Sequence, residues 1–187
     1  MFRETLDQHI EVMGSLEPLA SQIETVGAQL AAAIGGGGKV LICGNGGSAA
    51  DAQHFAAELV GRFETERQAL PAIALTTDSS ILTAVGNDYG FADVFARQVR
   101  ALASAGDMLV GISTSGNSEN VLRGVAAARQ QGVGTIGLLG CDGGRLKAAV
   151  EQNIVIQCRR TARIQEAHIL ILHFWAGMIE DQVAGNH

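Results

Sequence analysis

One phrase occurs twice in this chain and does most to limit the folds open to it. A run of strand-forming aliphatic residues empties into a loop of small residues, and the loop opens a helix. The first copy is Lys39-Val-Leu-Ile-Cys43 followed by Gly44-Asn45-Gly46-Gly47-Ser48. The second is Met108-Leu-Val-Gly-Ile112 followed by Ser113-Thr114-Ser115-Gly116-Asn117-Ser118. Such a loop brings backbone N–H groups, hydroxyls and a helix N-terminus to one point, an arrangement that suits a phosphate. Neither loop contains Lys or Arg. Recognition there rests on neutral donors and the helix dipole, and the ligand is small and anionic.

The rest of the chain repeats the alternation. Strands are predicted at 39–43, 72–75, 107–112, 133–139 and 153–156. Helices are predicted between them at 48–66, 91–104, 118–131 and 144–149, with a last one from 162 to 183. Four of the strands are unbroken Val/Ile/Leu/Ala runs, as expected when both faces of a parallel sheet are covered. The fifth, Asn153-Ile-Val-Ile156, reads as an edge. The class that follows is a three-layer, doubly wound α/β/α domain with a five-stranded parallel sheet. In such sheets ligands bind beyond the carboxyl ends of the strands, where both small-residue loops fall. Ahead of the first strand, Leu6, Ile10, Met13, Leu16, Leu19, Ile23, Val26, Leu30 and Ile34 recur at helical spacing, with a break expected near Pro18. This amphipathic segment has no strand partner, which makes residues 1–36 a candidate oligomerisation helix beside an α/β sandwich over 37–187. No linker or repeat divides the chain, so 1–187 reads as one domain.

Composition narrows the function. The chain has 187 residues, 47% hydrophobic and 17% charged, enough for one sizeable core. A net charge of −6 without a basic tract disfavours nucleic acid, although Arg159, Arg160 and Arg163 cluster. Cys43, Cys141 and Cys158 lack metal or disulfide spacing, and two of them lie in strand-like runs, so they read as small hydrophobes in a reducing compartment. The N-terminal residues lack a signal-peptide pattern, and no apolar run approaches the ~20 residues of a membrane span. A cytoplasmic location is expected.

Gly44-x-Gly46-x-x-Ala49 formally matches a dinucleotide fingerprint. The acidic residue that should close the second strand is missing, because Glu64 and Glu66 precede that strand and Asp78 lies too far on. No Gly-x-x-x-x-Gly-Lys-Ser/Thr run exists. Ser48 with Asp51 also reads as a capping pair for the helix that follows. On that helix His54 and Glu58, four apart, share a face. On the last helix Gln165 and His173 border one broad face, roughly 12 Å apart along the axis and roughly 80° apart around it, with Glu166 and His168 turned elsewhere. A carboxylate and a histidine near a bound sugar phosphate can move a proton between adjacent carbons. The same set can hold a divalent metal such as zinc. The spacing leaves both open.

At these residues the chain resembles the phosphoheptose isomerases, the sedoheptulose 7-phosphate isomerases of bacterial heptose biosynthesis, which have the sugar isomerase (SIS) fold. The resemblance runs nearly end to end. It is carried by Cys43-Gly-Asn-Gly-Gly-Ser48, Ala52-Gln-His-Phe-Ala-Ala-Glu58, Val85-Gly-Asn-Asp88, Gly111-Ile-Ser-Thr-Ser-Gly-Asn-Ser118, Asp142-Gly-Gly144, Arg163-Ile-Gln-Glu-Ala-His168 and His173. It implies aldose–ketose isomerisation through an enediol or enediolate, in a homotetramer whose active sites are shared between subunits. By resemblance Glu58 is the general base and His173 the partner acid. Asn45, Gly46, Gly47, Ser48, Ser113, Thr114, Ser115, Ser118 and Gln165 contact phosphate and sugar, and Arg62, Asp88 and Thr77 line the sugar. Zinc, one per subunit, is implied on His54, Glu58, Gln165 and His173. A SIS paralogue that binds the bacterial replication initiator, or senses a sugar phosphate without chemistry, is the alternative. It lacks the matching glutamate and second histidine, and this chain keeps both. Some isomerases have His-Cys where this chain has Ala49-Ala50, a difference that bears on substrate fit.

Overall fold

A computed structural model describes residues 1–184. Residues 185–187, which the single-domain reading includes, lie outside the described residues. The five strands are β1 (Val40–Cys43), β2 (Ala72–Ala74), β3 (Met108–Ser113), β4 (Gly134–Gly140) and β5 (Gln152–Ile156). All pair in parallel, in the order β2-β1-β3-β4-β5. The chain steps from β1 out to β2 and then back across to β3. The carboxyl ends of β1 and β3 therefore flank the point where the winding reverses, the crevice in which such sheets bind ligands. Register places Cys43 beside Gly111, so the two small-residue loops leave the sheet side by side.

Eight helices cover the sheet among the described residues: α1 (Phe2–Gly14), α2 (Ala20–Gly35), α3 (Gly47–Val60), α4 (Ser79–Tyr89), α5 (Val94–Leu102), α6 (Glu119–Gln130), α7 (Leu146–Ala149) and α8 (Thr161–Ala184). Alternation along each strand divides the core in two. Val40, Ile42, Val110, Ile112, Ile136 and Leu138 face α2, α3 and α8. Leu41, Cys43, Leu109 and Leu139 face α5, α6 and α7. Trp175 of α8 is fully buried, and its indole N–H donates to Ile23 O of α2 at 2.9 Å, which locks those two helices together.

The predicted strands all form, with ends shifted by a residue or two. The edge position of β5 is as read, and β2 forms the opposite edge. The amphipathic segment divides where Pro18 lies: a 3₁₀ turn, Glu17–Leu19, separates α1 from α2. Three helical readings are corrected. The helix predicted to 66 stops at Val60, ended by Gly61. The one predicted over 91–104 begins as a 3₁₀ turn at Phe91–Asp93 and runs as α5 only to Leu102. Helix α4 was not expected at all. None of its residues is fully buried; Leu82 and Val85 pack only partly on the core, a short apolar pattern, and its clearest signal is Asp78, whose carboxylate accepts from Ile81 N at 2.8 Å as the N-cap. The cysteines are corrected too. Cys43 alone lies in a strand and is buried, which pushes its thiol up to about 12. Cys141 and Cys158 are half-buried just beyond β4 and β5. No helix among the described residues is long and apolar enough to cross a membrane.

Candidate active site

The first loop is shaped by its glycines. Gly46 sits at φ +56°, where a side chain is strained, and acts as the N-cap residue of α3. A Cβ on Gly47 would collide with the Gln165 carboxamide, so this close approach brings α8 against the loop. The capping pair expected of Ser48 and Asp51 does not form. The helix starts one residue before Ser48, which is buried inside its first turn, and no side chain caps the terminus. Asp51 instead sits half-buried, and burial raises its carboxyl to about 6 against the opposing pull of His54.

The second loop repeats the pattern. Ser118 is the N-cap residue of α6, yet its hydroxyl lies 2.9 Å from Ser113 Oγ rather than on the helix N–H groups. Ser113 Oγ also accepts from Gly116 N at 3.1 Å. Thr114 is half-buried and Ser115 exposed. Helices α3 and α6 thus both begin without a side-chain cap, at the same crevice, and uncapped N–H groups are what an anion takes up. A reciprocal amide pair joins the loops: Asn45 Nδ2 donates to Asn120 Oδ1 at 2.9 Å, and Asn120 Nδ2 to Asn45 Oδ1 at 2.8 Å.

Helices α3 and α8 lie side by side and bring three of the predicted residues together. His54 Nε2 is 2.9 Å from Glu58 Oε1 and 3.2 Å from His173 Nε2. The two imidazoles meet edge to face, with centroids 4.9 Å apart. One donor atom from each of the three residues falls within 4.8 Å of the others. Two imidazole nitrogens and a carboxylate oxygen converging on one point present more lone pairs than protons can bridge well, and they match the nitrogen and oxygen donors that zinc prefers. The donor set therefore fits a metal ion. Gln165, the fourth residue, has its amide against Gly47, about two helical turns from His173.

The remaining predicted residues bond to other partners. Arg62 is exposed in the loop after α3, with its guanidinium 3.5 Å from Glu64 O. Asp88 is exposed near the far end of α4 and accepts from Asn87 at 2.8 Å. Thr77 donates to Ala74 O at the end of β2.

A family model described as the SIS domain matches residues 6–140. The chain belongs to the SIS-domain family. Within that family, a phosphoheptose isomerase of Geotalea uraniireducens is 55% identical over 181 residues, 96% of either chain. The solved phosphoheptose isomerase of Neisseria gonorrhoeae is 46% identical and superposes with a TM-score of 0.91, covering 96% of this chain and 97% of that one. The enzyme of Francisella tularensis is 40% identical with a TM-score of 0.88, covering 96% and 94%.

In this SIS domain two residues at the site escaped the sequence reading. Asn120 bonds to a residue 75 positions away, and an asparagine in the first turn of a helix gives no sign of that. Phe63 lies face to face with His173, with centroids 5.6 Å apart and planes 25° apart. It was assigned to a helix that in fact ends three residues earlier.

Proposed function

We infer that this chain is a phosphoheptose isomerase: an aldose–ketose isomerase that converts D-sedoheptulose 7-phosphate to D-glycero-D-manno-heptose 7-phosphate, the first step of ADP/GDP-heptose biosynthesis. The observation that carries the reading is the convergence of Glu58, His54 and His173, two of them on the helix whose uncapped N-terminus opens at the crevice shared with α6. The phosphate binds at the starts of α3 and α6, where Ser48, Ser113, Thr114, Ser115 and Ser118 supply hydroxyls and Gly46 and Gly47 supply N–H groups. Asn45 and Gln165 contact the sugar next to it. Arg62, Asp88 and Thr77 line its far end, and neighbouring subunits supply part of each site.

The reaction moves one proton between neighbouring carbons. Glu58 takes a proton from C1 of the ketose and returns it to C2, passing through an enediolate. His173 transfers the proton between the two oxygens, so that O2 becomes a hydroxyl as O1 becomes the carbonyl. Donors fixed in advance around the developing oxyanion lower the barrier. His54, Glu58 and His173, with Gln165 as the fourth ligand, would hold zinc, one per subunit, which would supply polarisation of the carbonyl and offset the negative charge. The domain works as a homotetramer in the cytoplasm, with residues 1–36 in the subunit contacts. The non-catalytic initiator-binding reading has no support at the site, since Glu58 and His173 are both in place.

The test is incubation of metal-free and zinc-loaded protein with sedoheptulose 7-phosphate in D₂O, followed by NMR and mass spectrometry. Aldoheptose phosphate should form in the zinc-loaded sample. Glu58→Gln should lower turnover by about 10²–10⁴-fold while substrate still binds. Wild-type turnover in Glu58→Gln would remove that residue from the base role. Neither product nor exchange from folded oligomer would remove the isomerase itself.

A further inference from the structure

We propose that Glu180 and Phe63 are positioning residues of the isomerase site: Glu180 fixes the backbone of residues 63–65, and the Phe63 ring so held keeps the His173 imidazole turned toward His54 and Glu58. The inference rests on the roles given to Glu58 and His173 above. It begins from a hydrogen bond that is missing. A histidine that binds a metal or moves a proton is normally held by a bond to its second ring nitrogen. His173 Nε2 faces His54, and among the described residues its Nδ1 has no hydrogen-bond partner. What touches the ring instead is Phe63, stacked on its face.

Phe63 sits in an irregular loop, and a loop side chain positions nothing unless its backbone is held. Glu180 holds it. Seven residues beyond His173, and so on nearly the same side of α8, its carboxylate accepts from Phe63 N at 3.0 Å, Glu64 N at 3.0 Å and Thr65 N at 2.7 Å, while only 3% exposed. Burial alone would raise this carboxyl, but the three N–H donors hold it at about 2. Its charge is matched by Arg67, equally buried, with Nε 3.3 Å away. The same guanidinium donates to Glu58 O at 2.6 Å, Leu59 O at 2.8 Å and Gly61 O at 3.2 Å, the carbonyls at the end of α3. One buried ion pair therefore joins the end of the helix bearing Glu58 to the helix bearing His173. Buried pairs of this kind are poor stabilisers compared with apolar packing, and fixing two reacting side chains is a function that accounts for one here.

The experiment compares Phe63→Leu, Phe63→Tyr, Glu180→Gln and the Phe63→Leu/Glu180→Gln double variant. It measures kcat and KM for sedoheptulose 7-phosphate per mole of folded protein, and zinc affinity by chelator competition. Phe63→Leu should lower kcat about tenfold, leave KM within about twofold and weaken zinc binding about tenfold. Phe63→Tyr, which keeps the stacked ring, should match the wild type. Glu180→Gln should follow Phe63→Leu, and the double variant should be no worse than the poorer single one, because both act along one path. A purely structural role would lower Tm and leave kcat and zinc affinity intact in Phe63→Leu, which would overturn the proposal, as would additive losses. If Glu180→Gln does not fold, the two Phe63 variants decide alone. His173→Asn separates this proposal from the reading beneath it. If His173→Asn turns over like the wild type, the role of His173 fails. If His173→Asn is inactive and Phe63→Leu fully active, only the positioning role fails.

Discussion

His168 and His173 lie on one helix five residues apart, and their surroundings give them opposite chemistry. The turn between them puts His168 in the core, where Nε2–H donates to Leu139 O at 3.1 Å and Nδ1 has no partner among the described residues. Burial lowers its imidazole to about 4, so it stays neutral in the folded protein. Below about pH 6.5 the unfolded chain takes up a proton that the folded one refuses until about pH 4. Stability therefore falls with pH across that window, by on the order of 3 kcal/mol in full. Asp51, raised by burial, works in the opposite sense over part of the same range. The wild type minus His168→Gln difference isolates the histidine: the gap in Tm should shrink steadily as pH is lowered from 7 to about 4.5, and a constant gap would contradict it. At this scale the sequence was readable where the clustered side chains share one helix, as with His54 and Glu58, or follow a helical period, as with His173. It was silent on Asn120, Phe63 and Glu180, whose partners lie 75 to 117 positions away in the chain.

Among the elements, α8 carries most of the organisation. Its inner face packs Ile164, Ile171, Leu172, Trp175, Ala176 and Ile179 against α2, α3 and the sheet, while its site face offers Gln165 and His173. Packing and chemistry are therefore not separable along it. Trp175→Ala removes the largest buried side chain and its bond to Ile23 O, and should cost about 3–5 kcal/mol. Denaturant titration would register that as a lowered midpoint, with activity falling alongside as α3 and α8 loosen. The strands were legible because a fully covered parallel strand must be continuously apolar. Helix α4 was not, because its apolar residues Leu82 and Val85 are few and only partly packed on the core, and its cap at Asp78 is one residue among many that look alike. Helix α3 was read six residues too long: Gly61 ends it, and the loop that follows is held by Glu180, far along the chain, a contact with no sign in the sequence.

As a whole molecule, the chain leaves apolar surface uncovered on one side. Leu170 and Phe174 of α8 are 49% and 44% exposed beside Met13, Leu16 and Ile23, where they border a groove of about 390 Å³, and Phe2, Leu6 and Ile10 extend the band along α1. Helix α1 itself fully buries no residue; Val12 and Met13 pack partly on the core, His9 lies 2.8 Å from Glu166, and Arg163 donates to Thr5 O at 2.8 Å. The subunit contacts of the proposed tetramer are placed on this face. Introducing charge there, as Leu170→Asp with Phe174→Asp, should then shift the 19.5 kDa chains to smaller species by light scattering and lower activity with it. An unchanged mass would place the subunit contacts elsewhere. The two phosphate loops, finally, have a consequence for the medium the enzyme works in. A site that grips its phosphate with lysine or arginine weakens as salt screens the attraction. On the proposed reading these loops would hold theirs with hydroxyls and the ends of α3 and α6, on a molecule whose net charge of −6 repels an anionic sugar at long range. Added potassium chloride should therefore leave kcat/KM level or raise it slightly, and the enzyme should be indifferent to swings in ionic strength that would cripple a cationic site.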